Sequence, residues 1–338
     1  MASPRDAARP RGGGRPRRPT AAPRCGARHR RRRRAPRRTG ASRRGSGPAA
    51  PLMDRFAIVV DGTASFSAGL DRELDIRSLP LHVDIGDESF TSGVDLTADE
   101  FYKKIAAPDV KPGTSQPSMG ECRDVYDRLV SEGFRKAIVL TIAAELSGTY
   151  SVATTTAQQM GDARIEVVDT RCLAGGISLI GTACARARRD GRSFEDATGL
   201  ARRLSGKAHI LAAADTLEYL KRSGRVSGGA ALFGSLLAVK PILEVTDGKV
   251  AAVDRVRTRE KATARLKELI EAKVPPGTRI NACTLHTNDP ERARALGDWA
   301  QERFHCVEHW VAEAGPVIGA RAGPGVIGLC WYRSDEAA

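Results

Sequence analysis

Ala137-Ile138-Val139-Leu140-Thr141-Ile142, followed shortly by Ser147-Gly148-Thr149-Tyr150, decides how the rest of the chain is read. The apolar, β-branched run predicts a buried strand over Arg135 to Ile142. A strand, a small-residue turn and then a helix put the turn at the carboxyl edge of a sheet, where open α/β sheets bind ligands. A second hydroxyl cluster, Thr114-Ser115-Gln116-Pro117-Ser118, crowds three hydroxyls and an amide onto a predicted helix start. Proline suits the first helical turn, and the free N–H groups there attract anions. An ordinary N-cap would need only one of those hydroxyls. Both clusters are expected to face one cleft.

Working outward, short apolar runs alternate with stretches of helical period, as a βαβ architecture requires. Ala57-Ile58-Val59-Val60 and Ile165 to Val168 predict strands. Gly120 to Glu132 predicts a helix stopped by Gly133, and Thr149 to Met160 one closed by Gly161. Leu173 to Arg189 is long, apolar and rich in small residues, and Ser193-Phe194-Glu195-Asp196 caps a further helix through Leu204. Residues 53–206 are thus expected to form an α/β domain around a parallel sheet. After Gly206 the strands come closer together. Asp247-Gly248 joins Ile242–Val245 to Val250–Val253 in the manner of a two-residue hairpin turn. Helices Arg259 to Ala272 and Pro290 to Phe304 alternate with strands Ile280 to Leu285 and Val307 to Ala312, so residues 207–336 are expected to form a second, α+β domain. A cleft between two such domains is a common ligand site.

The formal net charge of +14 suggests a nucleic-acid binder until the charge is located. Residues 1–52 hold 17 Arg, no Lys and one Asp, a net of +16, which leaves −2 for residues 53–338. That first segment has almost no large apolar side chains and is expected to be disordered. It reads as a basic arm for nucleic acid, a poor transit peptide, or an over-long translated start ahead of Met53. Clustered Arg alone binds phosphate backbones without sequence preference, so the chief rival function is a nucleic-acid-binding protein acting through this arm; for the body, nucleic acid is not the expected partner. No apolar stretch reaches the roughly 18 residues of a membrane span and no secretory core is present, so a soluble, cytoplasmic protein is expected. The seven cysteines include no C-x-x-C pair, which fits free thiols in a reducing compartment. His305 and His309 share one face of a predicted strand while Cys306 points to the other, which argues against a metal site.

Several enzyme signatures fail. Gly323-Pro324-Gly325-Val326-Ile327-Gly328 spells G-x-G-x-x-G, but too little chain follows for the crossover helix, second strand and acidic ribose ligand. There is no G-x-S-x-G elbow, no G-x-x-x-x-G-K-[ST] loop and no H-E-x-x-H. A hydrolase using Ser147 or Ser115 would need an activating base, and His82 is the one nearby histidine of the first half.

Taken in order, the segments resemble the DegV family, bacterial fatty-acid-binding proteins that serve a fatty acid kinase. The resemblance spans residues 55 to about 333. Its carriers are Val60-Asp61-Gly62-Thr63-Ala64-Ser65, Leu79-Pro80-Leu81-His82-Val83, Lys111 to Ser118, Leu146-Ser147-Gly148-Thr149-Tyr150-Ser151, Val168-Asp169-Thr170, Leu220 to Ser227, Lys240-Pro241-Ile242-Leu243 and Gly315 to Gly328. It implies a two-domain protein that encloses one long-chain fatty acid. The carboxylate would be held by hydroxyls of Thr114, Ser115, Ser118, Ser147 and Thr149, with Thr63 nearby, and the tail would be buried in the second domain. It also implies no catalysis of its own, no metal and no cofactor. A separate ATP-dependent fatty acid kinase is the implied partner, which phosphorylates the carboxylate to give an acyl phosphate for phospholipid synthesis.

Burying an alkyl tail is worth about 0.8 kcal/mol per methylene, so about fifteen methylenes give roughly 12 kcal/mol before ordering and association costs. Hydroxyls and helix N–H groups offset the desolvation of a carboxylate. With aromatic content of only 5% the lining should be aliphatic, and the run Ala230 to Val239 is the expected wall, or else a buried core helix. Two departures from the family pattern stand out. Asp61-Gly62-Thr63 replaces the usual Asp-Ser-Thr, and Arg321 replaces the histidine of Gly-x-His-x-Gly-Pro-Gly. A guanidinium brings a fixed charge and a two-pronged donor where a neutral imidazole brings one donor. Arg321 is expected to reach the ligand head group, and Arg225, in Gly224-Arg225-Val226-Ser227, is the second basic candidate.

Overall fold

A computed structural model describes residues 55–107, 109–227 and 239–337. The expectations for residues 1–52 and for the run from 230 to 238 lie outside the described residues.

The first half contains β1 (Phe56–Asp61), α1 (Leu70–Glu73), β2 (Ile76–Leu79), β3 (His82–Ile85), β4 (Glu88–Thr91), α2 (Ala98–Lys104), β5 (Gly113–Ser115), α3 (Met119–Ser131), β6 (Lys136–Thr141), α4 (Thr149–Ala157) and β7 (Arg164–Asp169). Then come α5 (Gly175–Arg189), α6 (Phe194–Leu204), β8 (His209–Ala213), α7 (Glu218–Ser223), β9 (Val226–Ser227), β10 (Lys240–Thr246) and β11 (Lys249–Val256). The chain ends with α8 (Arg259–Lys273), β12 (Arg279–His286), α9 (Pro290–Arg303), β13 (His305–Glu313), α10 (Pro316–Ala322) and β14 (Ile327–Arg333).

Strands β2-β1-β6-β7 form a parallel sheet in that order. Both faces are covered, so its strands are apolar on each side. Ile58, Val60, Ile138 and Leu140 face α5 and α6, and Ala57, Val59, Ala137 and Val139 face Tyr126 and Leu129 of α3 and Ala153 of α4. A mixed seven-stranded sheet follows, in the order β13-β12-β14-β8-β10-β11-β9. Its alternation is equally clean. Ile210, Ala212, Cys283 and Cys330 pack toward α5, whereas Leu211, Ala213, Ala282 and Trp331 pack against Leu266 of α8 and Leu296 of α9. A small antiparallel sheet, β4-β3-β5, packs with α2 and α10 through Val83, Phe101 and Val317.

Helix α5 therefore serves both large sheets at once, and its composition is what permits it. A Cβ at Gly176 would fall 1.9 Å from Cys172 Sγ, and one at Gly181 would meet Val60 Cγ1 at 3.1 Å. Three thiols gather where α5 begins. Cys283 and Cys330 are cross-strand neighbours on β12 and β14, and burial pushes both thiols up; Cys172 is pushed up to about 12 by the same cause.

The ends of α3, α5, α6, α8 and α9 fall within two residues of their expected places, because caps are local chemistry, whereas α1, α2, α7 and α10 were not anticipated. Ser193 and Asp196 form the reciprocal capping pair at α6, and the Asp247-Gly248 turn has positive φ at both residues, 51° and 78°. One expectation is corrected. Thr114 and Ser115 are not on a helix start but on β5, paired with Val83 and His82 of β3; α3 begins only at Met119, and its cap is Ser118 alone.

Burial also pushes His209, His286 and His309 below the ordinary imidazole value of 6.5. His309 Nε2 lies 2.9 Å from Thr284 Oγ1. Imidazoles kept neutral in the fold favour it above the unfolded value, and that contribution is lost as pH falls through the folded values. A His309→Gln variant should therefore lose less thermal stability than the parent between pH 7 and pH 5.5. Equal losses in the two unfolding profiles would show that His309 titrates normally.

Candidate functional site

In the parallel sheet the chain moves from β1 outward to β2 and then returns to the other side of β1 as β6. The carboxyl ends of β1 and β6 therefore flank the switch point, where loops diverge and leave a crevice. Asp61 ends β1 there, fully buried. Its Oδ1 accepts from Thr63 N at 2.9 Å and from the Thr63 hydroxyl, and its Oδ2 accepts from Ile142 N, so one carboxylate ties the two strand ends together. Burial raises the Asp61 carboxyl above its ordinary value, against the pull of those three donors.

A cavity of about 330 Å³ opens beside this link. Thr63, Thr114, Ser115 and Ser147 contribute polar lining, together with Gln116, Arg225 and Arg321. The remaining wall is largely aliphatic: Ile210 and Ala212 of β8, Leu243 and Val245 of β10, Val250 of β11, and Val317 and Ile318 of α10. The described part of the expected wall, Val239, is not among the lining residues.

The two hydroxyl clusters meet at Gly148. A Cβ there would overlap Gln116 Oε1, at 2.1 Å, so the amide of one cluster rests directly on the backbone of the other. Ser147 Oγ and Thr149 Oγ1 are 2.9 Å apart, and Thr149 N donates to Ser147 Oγ at 3.3 Å. Either hydroxyl can donate in that pair, so a ligand oxygen that takes the Ser147 proton leaves Thr149 Oγ1 as the donor to Ser147 Oγ. Thr149 itself is fully buried beneath Ser147 and does not line the cavity. Thr63 lines it, but its hydroxyl proton is committed to Asp61.

Arg321, on α10, reaches across to β5. Its Nε donates to Thr114 Oγ1 at 2.9 Å, and its Nη2 donates to the same oxygen and to Thr114 O at 3.3 Å. Thr114 thus accepts from the guanidinium and retains its O–H for a ligand. Arg225 is exposed, with Nη1 donating to Ser223 O at 2.8 Å and Nε to Leu146 O at 3.4 Å. Burial, then the nearby Arg225, push Arg321 below the usual guanidinium value.

Ser118 is placed elsewhere. Its Oγ accepts from Glu121 N at 3.2 Å, while Glu121 Oε2 accepts from Ser118 N at 2.9 Å and from Ser118 Oγ at 2.8 Å. It caps α3 and does not line the cavity. His82 Nε2 lies 2.8 Å from Glu121 Oε1, and His82 is likewise absent from the lining. Gly62 sits where a Cβ would come 3.1 Å from Leu79 O, also off the cavity.

Sequence reading missed the wall formed by the end of β12. His286 and Thr287 both line the cavity, and Thr287 Oγ1 donates to Gly323 O at 2.7 Å and accepts from Val326 N at 2.9 Å. His286 Nδ1 is buried without a hydrogen-bond partner among the described residues, 3.8 Å from Glu313 Oε1. A polar pair at the end of an apolar strand was the available signal.

A parallel sheet and a mixed sheet sharing one helix, with a cavity that is polar at the strand ends and aliphatic over its wall, define the architecture. The chain belongs to the DegV family: the model of that family, described as uncharacterised protein, matches residues 55–334. A DegV domain-containing protein of Halalkalibacterium halodurans is 31% identical over 280 residues, covering 83% of this chain and 99% of that one. Among solved structures, a DegV family protein from Thermus thermophilus described by its fatty acid binding superimposes with TM-score 0.76 at 30% identity, covering 82% of this chain and 99% of that one. A stearic-acid-binding protein from Eubacterium ventriosum superimposes with TM-score 0.74 at 27% identity, covering 84% and 100%.

Proposed function

We propose that this protein binds one long-chain fatty acid in the cavity and presents its carboxylate to a separate ATP-dependent fatty acid kinase, as a lipid-binding subunit that works in the cytoplasm without catalysis of its own. The observation that carries this reading is the division of one cavity into a hydroxyl- and guanidinium-lined end and an aliphatic wall. Thr114, Ser115 and Ser147 supply hydroxyl donors to the head group, and Arg321 and Arg225 supply charge. Thr63 and Thr149 hold these groups in place from behind, and Ser118 acts one step further back by fixing the start of α3. Residues 53–206 then serve as the domain that carries the head-group motifs, and residues 207–336 as the domain that lines the acyl chain. The hydroxyl set suits phosphoryl transfer because it satisfies a carboxylate while leaving one of its oxygens open to an external phosphoryl donor.

Two further observations support the reading: the fatty-acid-binding descriptions of the structural neighbours, and the convergence of the expected head-group residues from three places, β5, the turn just before α4, and α10. Mass spectrometry of lipid extracted from the purified protein tests it. Near one fatty acid per chain is the expected result, and a protein free of lipid that also takes up none from solution would refute it. The kinase step is tested by adding a bacterial fatty acid kinase and ATP to the loaded protein and assaying for acyl phosphate.

A further inference from the structure

A second hollow, of about 540 Å³, opens at the amino end of the parallel sheet, whereas the cavity described above opens at its carboxyl end. Helix α5 runs between them. Leu173, just before its start, lines the cavity, and Arg188 and Arg189, in its last turn, line the hollow. Its 15 residues span about 22 Å, so the two places are separate.

Four arginines line the hollow: Arg55 at the approach to β1, Arg188 and Arg189 at the end of α5, and Arg192 just before α6. Two carboxylates line it as well, and both are engaged. Glu73 Oε1 lies 3.7 Å from Arg189 Nη1 and 3.8 Å from Arg186 Nη1, and Asp75 Oδ1 lies 3.0 Å from Arg77 Nη2. Among the described residues, Arg55, Arg188 and Arg192 are in no ion pair. Of the acids next to them in sequence, Asp190 does not line the hollow and Asp54 lies outside the described residues. Residues 53–338 carry −2 in all, so the positive surplus here is local.

Arg188 is fixed in place without being neutralised. Half-buried, it donates from Nη1 to Phe56 O at 3.2 Å, and from Nη2 to Leu74 O at 2.6 Å and Asp75 O at 3.2 Å. Carbonyls orient a guanidinium but carry no net charge. Burial pushes Arg188 below the usual guanidinium value against the pull of Asp75, a cost that an anion beside it would relieve. Arg55 Cζ sits 4.5 Å from the centroid of the Phe134 ring, and the Arg55 and Arg192 side chains have no hydrogen-bond partner among the described residues. The floor is apolar, formed by Phe56, Leu74, Phe134 and Ala185, which keeps water from one side of a bound anion and strengthens its pairing. Arginine forks match pairs of phosphate oxygens, and guanidinium groups supplied from three places in the chain suit an extended anion better than a single small one.

We propose that this hollow is a second ligand site, one that takes a chain of two or more phosphates, inorganic or carried on a nucleotide. Arg188 is the fixed anchor, and Arg55, Arg189 and Arg192 close on the anion from the rim.

The test is the thermal unfolding midpoint of the full chain with sodium tripolyphosphate, ATP, inorganic phosphate or sodium sulfate at equal ionic strength. Residues 1–52 hold 17 Arg and take up anions on their own account, so the measure is the midpoint, which rises only for binding that needs the folded body. Tripolyphosphate at ten times its dissociation constant is expected to raise the midpoint by about 3 °C. Arg55→Gln and Arg192→Gln, both exposed, should each weaken that binding about fivefold, the worth of one exposed ion pair, and the double variant should lose most of the rise while taking up palmitic acid as before. A rise no greater than that given by sulfate overturns the proposal, and a rise kept in full by the double variant overturns its place in this hollow. Inorganic phosphate acting as strongly as tripolyphosphate overturns the need for a chain of phosphates. ATP matching tripolyphosphate upholds recognition of the phosphates alone, and ATP acting more strongly upholds it with a nucleotide as the carrier. Loss of palmitic acid uptake in the double variant would overturn the separateness of the two sites, whereas failure of the lipid reading leaves this site untouched.

Discussion

An Ala212→Phe variant is expected to keep its fold and lose about a thousandfold of its affinity for palmitic acid, while octanoic acid binding changes little. Ala212 lies on β8 between Gly328 of β14 and Leu243 of β10, and its methyl group lines the aliphatic wall of the cavity. A phenyl ring there occupies the space needed by part of a long chain. If about five methylenes lose their burial at about 0.8 kcal/mol each, the loss is about 4 kcal/mol, or about three orders of magnitude in dissociation constant. A short chain that stops before Ala212 should not feel the ring. Titration of both acids, with unfolding midpoints to verify the fold, decides the matter. Equal loss for the two acids would place Ala212 near the head group, and no loss would take the tail out of this cavity.

The second large effect concerns Asp61. Removing its carboxylate in Asp61→Ala leaves the N–H groups of Thr63 and Ile142 and the Thr63 hydroxyl without the acceptor they share, in a fully buried position. Orphaned buried donors to a charged group cost about 1–3 kcal/mol each, so a total of about 4 kcal/mol is expected, with a fall in the unfolding midpoint of about 10 °C. Asp61→Asn keeps one acceptor oxygen and should lose roughly half as much. Ligand affinity should fall in both, since Thr63 and the end of β6 would no longer be held. Denaturant unfolding of the three proteins measures the first effect; a stability within about 1 kcal/mol of the parent in Asp61→Ala would mean that water or a local shift satisfies those donors.

Features written in neighbouring residues were legible. The strand at 136–141, the capping pair of Ser193 and Asp196 and the Asp247-Gly248 hairpin each depend on side chains within a few positions, so the sequence states them directly. Thr114 was legible as a hydroxyl that would line a cleft, but not in its setting. Ser118 is a true helix cap, and its signal spread backward over Thr114 and Ser115, whose strand exists only because β3 supplies the other edge. Arg321 stood out by its departure from a family pattern, yet its partner lies 207 positions away in the chain, and no periodicity carries that information. His286 and Thr287 were missed for the same reason: they matter because β12 ends beside α10, a fact of tertiary packing. Of the apolar run 230 to 239 only Val239 is described, and it does not line the cavity, whereas residues of β8, β10 and β11 do.

The cluster of thiols at the start of α5 has a practical meaning. Cys172, Cys283 and Cys330 are wholly shielded, and their raised proton affinities keep them in the unreactive form at neutral pH. An alkylating reagent can reach them only when the helix separates from the sheets on either side. The rate at which these sulfurs acquire label is therefore a clock for that separation, and slowing of the clock by an added lipid would report occupancy without any probe attached to the lipid itself.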